Sequence, residues 1–131
     1  MDAALAIGRI VLVIAFIFSG FGKLMDISGT AAYIASKGLP LPQLGAIGAG
    51  TGELVCGLAI LVGRQTRLAA IGLILFTAAA AFFFHDFWNL PAGAARVNEM
   101  THALKNLSMI GGLIVLAAAG AGRWSVDGRS R

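Results

Sequence analysis

The sequence predicts an all-α fold: an integral membrane four-helix bundle with both termini in the cytoplasm. Three observations carry this expectation. Hydrophobic residues make up 58% of the 131 positions and charged ones only 12%, whereas soluble domains run near a quarter charged. The mean hydropathy is +0.86. Four nearly uncharged runs, residues 4–24, 44–62, 68–84 and 102–122, are each about long enough as helices to cross a hydrocarbon core of roughly 30 Å. Such a chain fits one transmembrane domain. The composition excludes a disordered segment and a soluble enzyme with its own large cofactor domain. A disulfide-built secreted domain is excluded too, since one cysteine makes no internal bridge.

The first run is interrupted by Arg9, Ser19 and Lys23. Asp2 stands where a signal peptide carries basic residues, and no small-x-small cleavage pattern precedes Lys23, so this run reads as a retained span. Residues 25–43 form an interfacial segment broken by Asp26, Gly29, Gly38, Pro40 and Pro42, with a short helix expected at 30–36 near Tyr33. The second run carries a single charge, Glu53. The basic turn at 63–67 is tight, so the second and third spans should be antiparallel neighbours. The third run ends in four alanines followed by Phe82, Phe83 and Phe84. An outer polar loop, 85–101, holds Trp88 at headgroup depth and the turn signal Pro91-Ala92-Gly93. The fourth run has Lys105 and Asn106 one turn inside, and a short polar tail follows it. Gly8, the set Gly45, Gly48, Ala49 and Gly52, and the set Gly111, Gly112, Ala118 and Ala119 are expected to let helices approach closely.

The formal net charge of +4 is scattered and forms no stripe interleaved with aromatics, so no nucleic-acid partner is expected. Its distribution bears on orientation instead. Arg9, Arg64, Arg67, Arg123, Arg129 and Arg131 fall on one side, and Lys23, Lys37, Arg96 and Lys105 on the other, six against four. The excess assigns both termini to the cytoplasm.

A charge at mid-membrane costs roughly 2.5 to 3.5 kcal/mol even on lenient scales. Glu53 is the deepest in this chain. Alternating spans bring Lys23, Glu53, His85, Asp86, His102, Lys105 and Asn106 into the outer half of one bundle. His102, Lys105, Asn106 and Met109 share one helical face. Lys105 is the expected partner of Glu53, being nearer to it in depth than the alternative, Lys23. The cluster reads as a pocket for a quinone or small aromatic molecule, as an ion or proton path, or as polar glue between helices with the lysines snorkelling to the headgroups. Around His85 and His102 there is no CxxCH, no HExxH and no paired carboxylates, so neither a metal nor a haem is expected. Cys56, a turn deeper than Glu53, is expected to be inert. Arg9 is expected to snorkel to lipid phosphates, the alternative being a polar tie to the tail around Trp124 and Asp127.

Several stretches, in this order, resemble the DoxX family of small membrane proteins. They are Gly8-Arg9, Phe18-Ser19-Gly20-Phe21-Gly22-Lys23-Leu24, the Glu53 span ending Leu61-Val62-Gly63-Arg64, and His85-Asp86-Phe87-Trp88. His102-Ala103-Leu104-Lys105-Asn106-Leu107 with Gly111-Gly112, and Gly120-Ala121-Gly122-Arg123-Trp124-Ser125-Val126-Asp127, complete the likeness. The resemblance implies four transmembrane helices in the bacterial inner membrane. It also implies a neighbourhood of redox function, because relatives include a subunit of thiosulfate:quinone oxidoreductase, a partner in an oxidoreductase complex linked to superoxide dismutase and a sulfurtransferase, and members tied to quinone or catechol stress. It carries over no catalytic residue.

The chain has no recognisable flavin, haem or iron–sulfur site, so no intrinsic cofactor is expected and electrons would come from a redox partner protein. The expectation is an accessory or quinone-interacting subunit whose binding residues are Lys23, Glu53, His85, His102, Lys105 and Asn106. The alternative is a non-enzymatic scaffold or assembly protein, in which the same cluster only ties helices together. Membrane lipids surround either form, and small-residue faces would serve a partner or a homo-oligomer.

Overall fold

Residues 1–129 are described in a computed structural model; Ser130 and Arg131, the end of the expected tail, lie outside them. Each apolar run forms a helix. The long helices are α1 (Asp2–Met25), α3 (Pro42–Val62), α4 (Thr66–Phe84) and α5 (Ala94–Ala119), and all four are long and apolar enough to cross a membrane. Two short helices, α2 (Ile27–Ser36) and α6 (Val126–Arg129), and a single 3-10 turn (Phe87–Asn89) complete the described residues. The protein is an all-α bundle of four membrane-spanning helices.

The bundle's centre is a stripe of Val13, Phe16, Ile60, Ala69, Ala70, Leu73, Leu113 and Leu116. Its outer faces stay apolar: Phe18 is 81% exposed, and Leu44, Leu68 and Val115 each about two-thirds. No soluble monomer tolerates so much uncovered hydrocarbon. Lipid covers it. Between helices the attraction is then dispersion, which rewards close approach.

That approach is closest between α1 and α3, and it rests on glycines other than those the sequence reading singled out. A Cβ on Gly20 would stand 2.7 Å from both Gly50 O and Leu54 N of α3, and one on Gly50 would stand 2.9 Å from Leu24 Cγ. Gly8, Gly48, Gly52 and Gly111 have no neighbour within 4 Å of that position. Of the expected glycines, only Gly45 (against Ile34) and Gly112 (against Leu12) face a packed neighbour. Composition marks glycine-rich helices, but the rotation of each helix decides which glycines meet.

The helices start earlier than the apolar stretches. Helix α5, however, stops at Ala119, short of the expected end at 122, where Gly120 (φ 78°) and Gly122 (φ 77°) turn the chain. Asp26 caps α2 by accepting from Gly29 N at 2.9 Å, so this helix starts at Ile27 rather than near Thr30. After Pro91-Ala92-Gly93, α5 begins at Ala94, placing His102 two turns inside it. The α3–α4 turn makes these helices antiparallel neighbours, as expected. Gly63 takes the left-handed conformation (φ 71°) that closes the end of α3, with Arg64 N donating to Ala59 O at 2.8 Å.

Met1 and the described end of the tail lie at one end of the bundle, where the tail folds back as a latch. Asp127 accepts from Gln65 N at 2.8 Å and Thr66 N at 2.9 Å, capping α4 from a distance of sixty residues in sequence. Its own N–H donates to Gly63 O at 2.8 Å. Arg123 N donates to Asp2 Oδ1 at 3.1 Å. Arg9 does not snorkel. It is 5% exposed and its guanidinium donates to Ala121 O and Trp124 O, because a buried guanidinium beside the helix end finds carbonyls nearer than phosphates. This is the polar tie that the sequence offered as the alternative.

Candidate functional site

The end of the bundle away from the termini holds the deep charge. Glu53 is 4% exposed. Its Oε2 accepts from Lys23 Nζ at 2.7 Å and from Ser19 Oγ at 3.2 Å. Ser19 and Lys23 are one turn apart on α1, so both face α3, and Lys23 also donates to Ser19 Oγ. The Lys23 ammonium lies 6.0 Å from the Phe76 ring centroid. Lys23, not Lys105, is therefore the partner of Glu53. Helical depth favoured Lys105, but lateral proximity decides. The Gly20–Gly50 contact brings α1 onto α3, while α5 packs chiefly on α4.

Lys105 Nζ instead meets His102 Nδ1 at 3.2 Å. Because an ammonium only donates, this nitrogen accepts. The His102 ring stacks on His85, with centroids 5.2 Å apart and planes 18° from parallel. His85 Nδ1 lies 2.8 Å from Glu99 Oε2. Nearby, Lys37 donates to Asp86 Oδ1 at 2.8 Å, and Asn89 Nδ2 donates to Asp86 Oδ2 at 3.1 Å. The bond to Asp86 raises the Lys37 pKa above the ordinary lysine value. It also straps the end of α2 to the loop after α4. Among the described residues no group of three or more His, Cys, Asp or Glu side chains is arranged to hold a metal.

Above the Lys23–Glu53 pair opens a cavity of about 640 Å³, reached by residues of α1, α2, α3, α4 and α5. Its walls are mostly apolar, with Phe16, Tyr33, Phe76, Phe83 and Phe84 among them. Five of the six residues singled out from sequence line it: Lys23, Glu53, His85, Lys105 and Asn106. His102 stands behind His85 instead. Phe82 and Phe87 pack on Trp88, at 5.7 and 5.2 Å between centroids, outside the lining. A second hollow of about 670 Å³ lies under the tail at the other end, and the Asp127 caps on Gln65 and Thr66 form part of its wall.

Sequence reasoning missed four participants. Ser19 was legible, being one turn before a lysine on a retained span. Glu99 was hidden because its segment read as loop. Tyr33 arrives on α2, whose packing on α3 through Ala31, Ile34 and Ala46 has no local signature. Thr77, between Phe76 and four alanines, carries no signal at all.

Comparison with known proteins gives the chain its relatives. Residues 4–86 match the DoxX family, and residues 50–131 also match the SURF4 family. Over 125 residues the chain is 38% identical to the inner membrane protein YphA of Escherichia coli, spanning 95% of this chain and 89% of that one. It is 36% identical to the Escherichia coli inner membrane protein YqjF, over 96% of this chain and 91% of that protein. An uncharacterized membrane protein of Mycobacterium tuberculosis is 34% identical, over 92% and 77% respectively. No solved structure matches. Four membrane-spanning helices and likeness along almost the entire length lead to one assignment: the chain belongs to the DoxX family and is a multi-pass protein of the bacterial inner membrane.

Proposed function

We propose that the cavity is a binding pocket for a quinone or a similar small aromatic molecule, and that the protein is an accessory, quinone-interacting subunit of a membrane redox system. The observation that carries this reading is the cavity itself. A largely apolar, aromatic-walled space of about 640 Å³ has the buried Glu53, paired with the half-buried Lys23, at its wall and Lys105 and Asn106 on its α5 side. Ligand sites have this make-up, with apolar walls and few polar groups that fix orientation. Lys23, Lys105 and Asn106 are donors for a carbonyl oxygen. Glu53 holds Lys23 in place, and His85 with the stacked His102 borders the site. Electrons reach a bound quinone from a partner protein. The test is titration of a short-tailed ubiquinone or menaquinone analogue into the purified protein, with Glu53→Gln and Lys105→Met in parallel. Saturable binding weakened by either change is expected; equal, weak uptake by all three would reduce it to partitioning into the micelle.

A scaffold reading also has an observation in its favour. Ser19, Lys23 and Glu53 satisfy one another without any ligand, as helix glue would. It predicts that the analogue does not saturate.

In the membrane, the end that holds both termini faces the cytoplasm. This reading rests on the arginines at 9, 64, 67, 123 and 129 gathered there. With Cys56 replaced, a cysteine at Gln65 is expected to be labelled only from the cytoplasmic side, and one at Ala94 only from the opposite side.

A further inference from the structure

Thr77 is 3% exposed, lines the cavity, and its Oγ1 has no hydrogen-bond partner. A buried threonine in a helix ordinarily returns its hydroxyl to the carbonyl one turn back. This one does not. A buried hydroxyl left unpaired keeps its full desolvation penalty, while valine fills the same shape without it. Thr77 lines the same cavity as Lys23, Glu53 and Phe76, so its hydroxyl is a polar group in an otherwise largely apolar wall.

We infer that Thr77 is a specificity-determining residue of the pocket, donating its hydroxyl proton to a carbonyl oxygen on the aromatic head of the ligand. This rests on the pocket reading above and adds to it the group by which the head is told from plain hydrocarbon. An uncharged acceptor fits this position. The Lys23 ammonium on the same cavity is already neutralised by Glu53 at 2.7 Å, and the hydroxyl needs only an oxygen lone pair. A site built to hydrogen-bond an oxygen rejects the analogue that lacks it, because its own polar group is then left unpaired.

The test compares the wild-type chain with Thr77→Val and Thr77→Ser in maltoside micelles, which contain no ester. Two probes are used: an alkyl naphthoquinone, and the alkylnaphthalene that lacks its carbonyls. Thr77→Val is expected to weaken the naphthoquinone about five- to tenfold, the size of one buried hydrogen bond. The alkylnaphthalene should bind Thr77→Val as well as wild type or better, and Thr77→Ser should keep the wild-type preference. Without probe, Thr77→Val should melt at a higher temperature than wild type, since it removes an unpaired polar group; this also shows that the variant folds. An equal loss for both probes, no loss for either, or a lower melting temperature overturns the assignment of Thr77. Competition by a diacyl lipid, but not by its dialkyl ether counterpart, assigns the oxygen to a lipid ester and overturns the aromatic ligand. If the wild-type chain saturates with neither probe, the pocket reading itself fails. Saturation with loss of the Thr77 effect leaves the pocket standing and removes only this residue from it.

Discussion

At the scale of single residues, a carboxylate with 5% of its side chain exposed is tolerable only because one ammonium and one hydroxyl meet it. Removing the ammonium alone strands the charge. Lys23→Met should therefore destabilise the fold by about 3 kcal/mol, the lower part of the range for breaking a buried pair, since Lys23 keeps 28% exposure. The double change Lys23→Met/Glu53→Gln should cost less than Lys23→Met by itself. Lys105→Met, which leaves the pair whole, should cost less still. Thermal unfolding in matched detergent measures all three together with Glu53→Gln, and strict additivity of Lys23→Met and Glu53→Gln would defeat the coupling. Both members of this pair were legible from sequence as charges that do not belong in a span. Their partnership was not, because depth along a helix can be counted in a sequence whereas rotation about its axis and lateral packing cannot. Arg9 teaches the same lesson: its depth suggested phosphates, and its rotation sent it to Ala121 and Trp124.

At the scale of elements, the α1–α3 contact sets the geometry of the site. Gly20 and Gly50 bring the two backbones together, and only then does an α1 lysine reach an α3 carboxylate. A methyl group at Gly20 meets backbone atoms at 2.7 Å, which cannot yield as a side chain does. Gly20→Ala should cost about 1–3 kcal/mol by overpacking, whereas Gly8→Ala, with open space around it, should be neutral or slightly stabilising. The length and apolar character of the runs foretold that these helices exist; they did not tell which glycine faces which helix. The strap between α2 and the loop after α4 gives a pH dependence. The Lys37 pKa is raised by its bond to Asp86, so the contribution is fully present below the unfolded lysine value of about 10.4. It is lost as pH rises through the higher folded value. An alkaline limb of the melting profile that disappears in Lys37→Met is the expected result.

At the scale of the whole molecule, the two ends of the bundle carry different loads. One end is tied by the tail, whose Asp127 caps α4 and whose carbonyls at Ala121 and Trp124 hold Arg9. The other end opens as the aromatic-walled cavity above Lys23 and Glu53. The latch contains charge-assisted hydrogen bonds, each worth about 1.5–3 kcal/mol when one side is ionised. It lies at the opposite end of α1 from Lys23, and separated sites without shared partners act independently. Asp127→Asn weakens the cap but keeps an acceptor oxygen, so it should lower stability by about 1 kcal/mol. Arg9→Met removes a guanidinium that serves two carbonyls, and should lower it by about 2 kcal/mol or more. Neither change should alter binding of a naphthoquinone probe, measured well below either melting temperature. Lys23→Met/Glu53→Gln should alter both stability and binding. If Arg9→Met weakened the probe as much as the double change does, the two ends would be mechanically coupled through α1, and the latch would then have to be counted as part of the binding machinery.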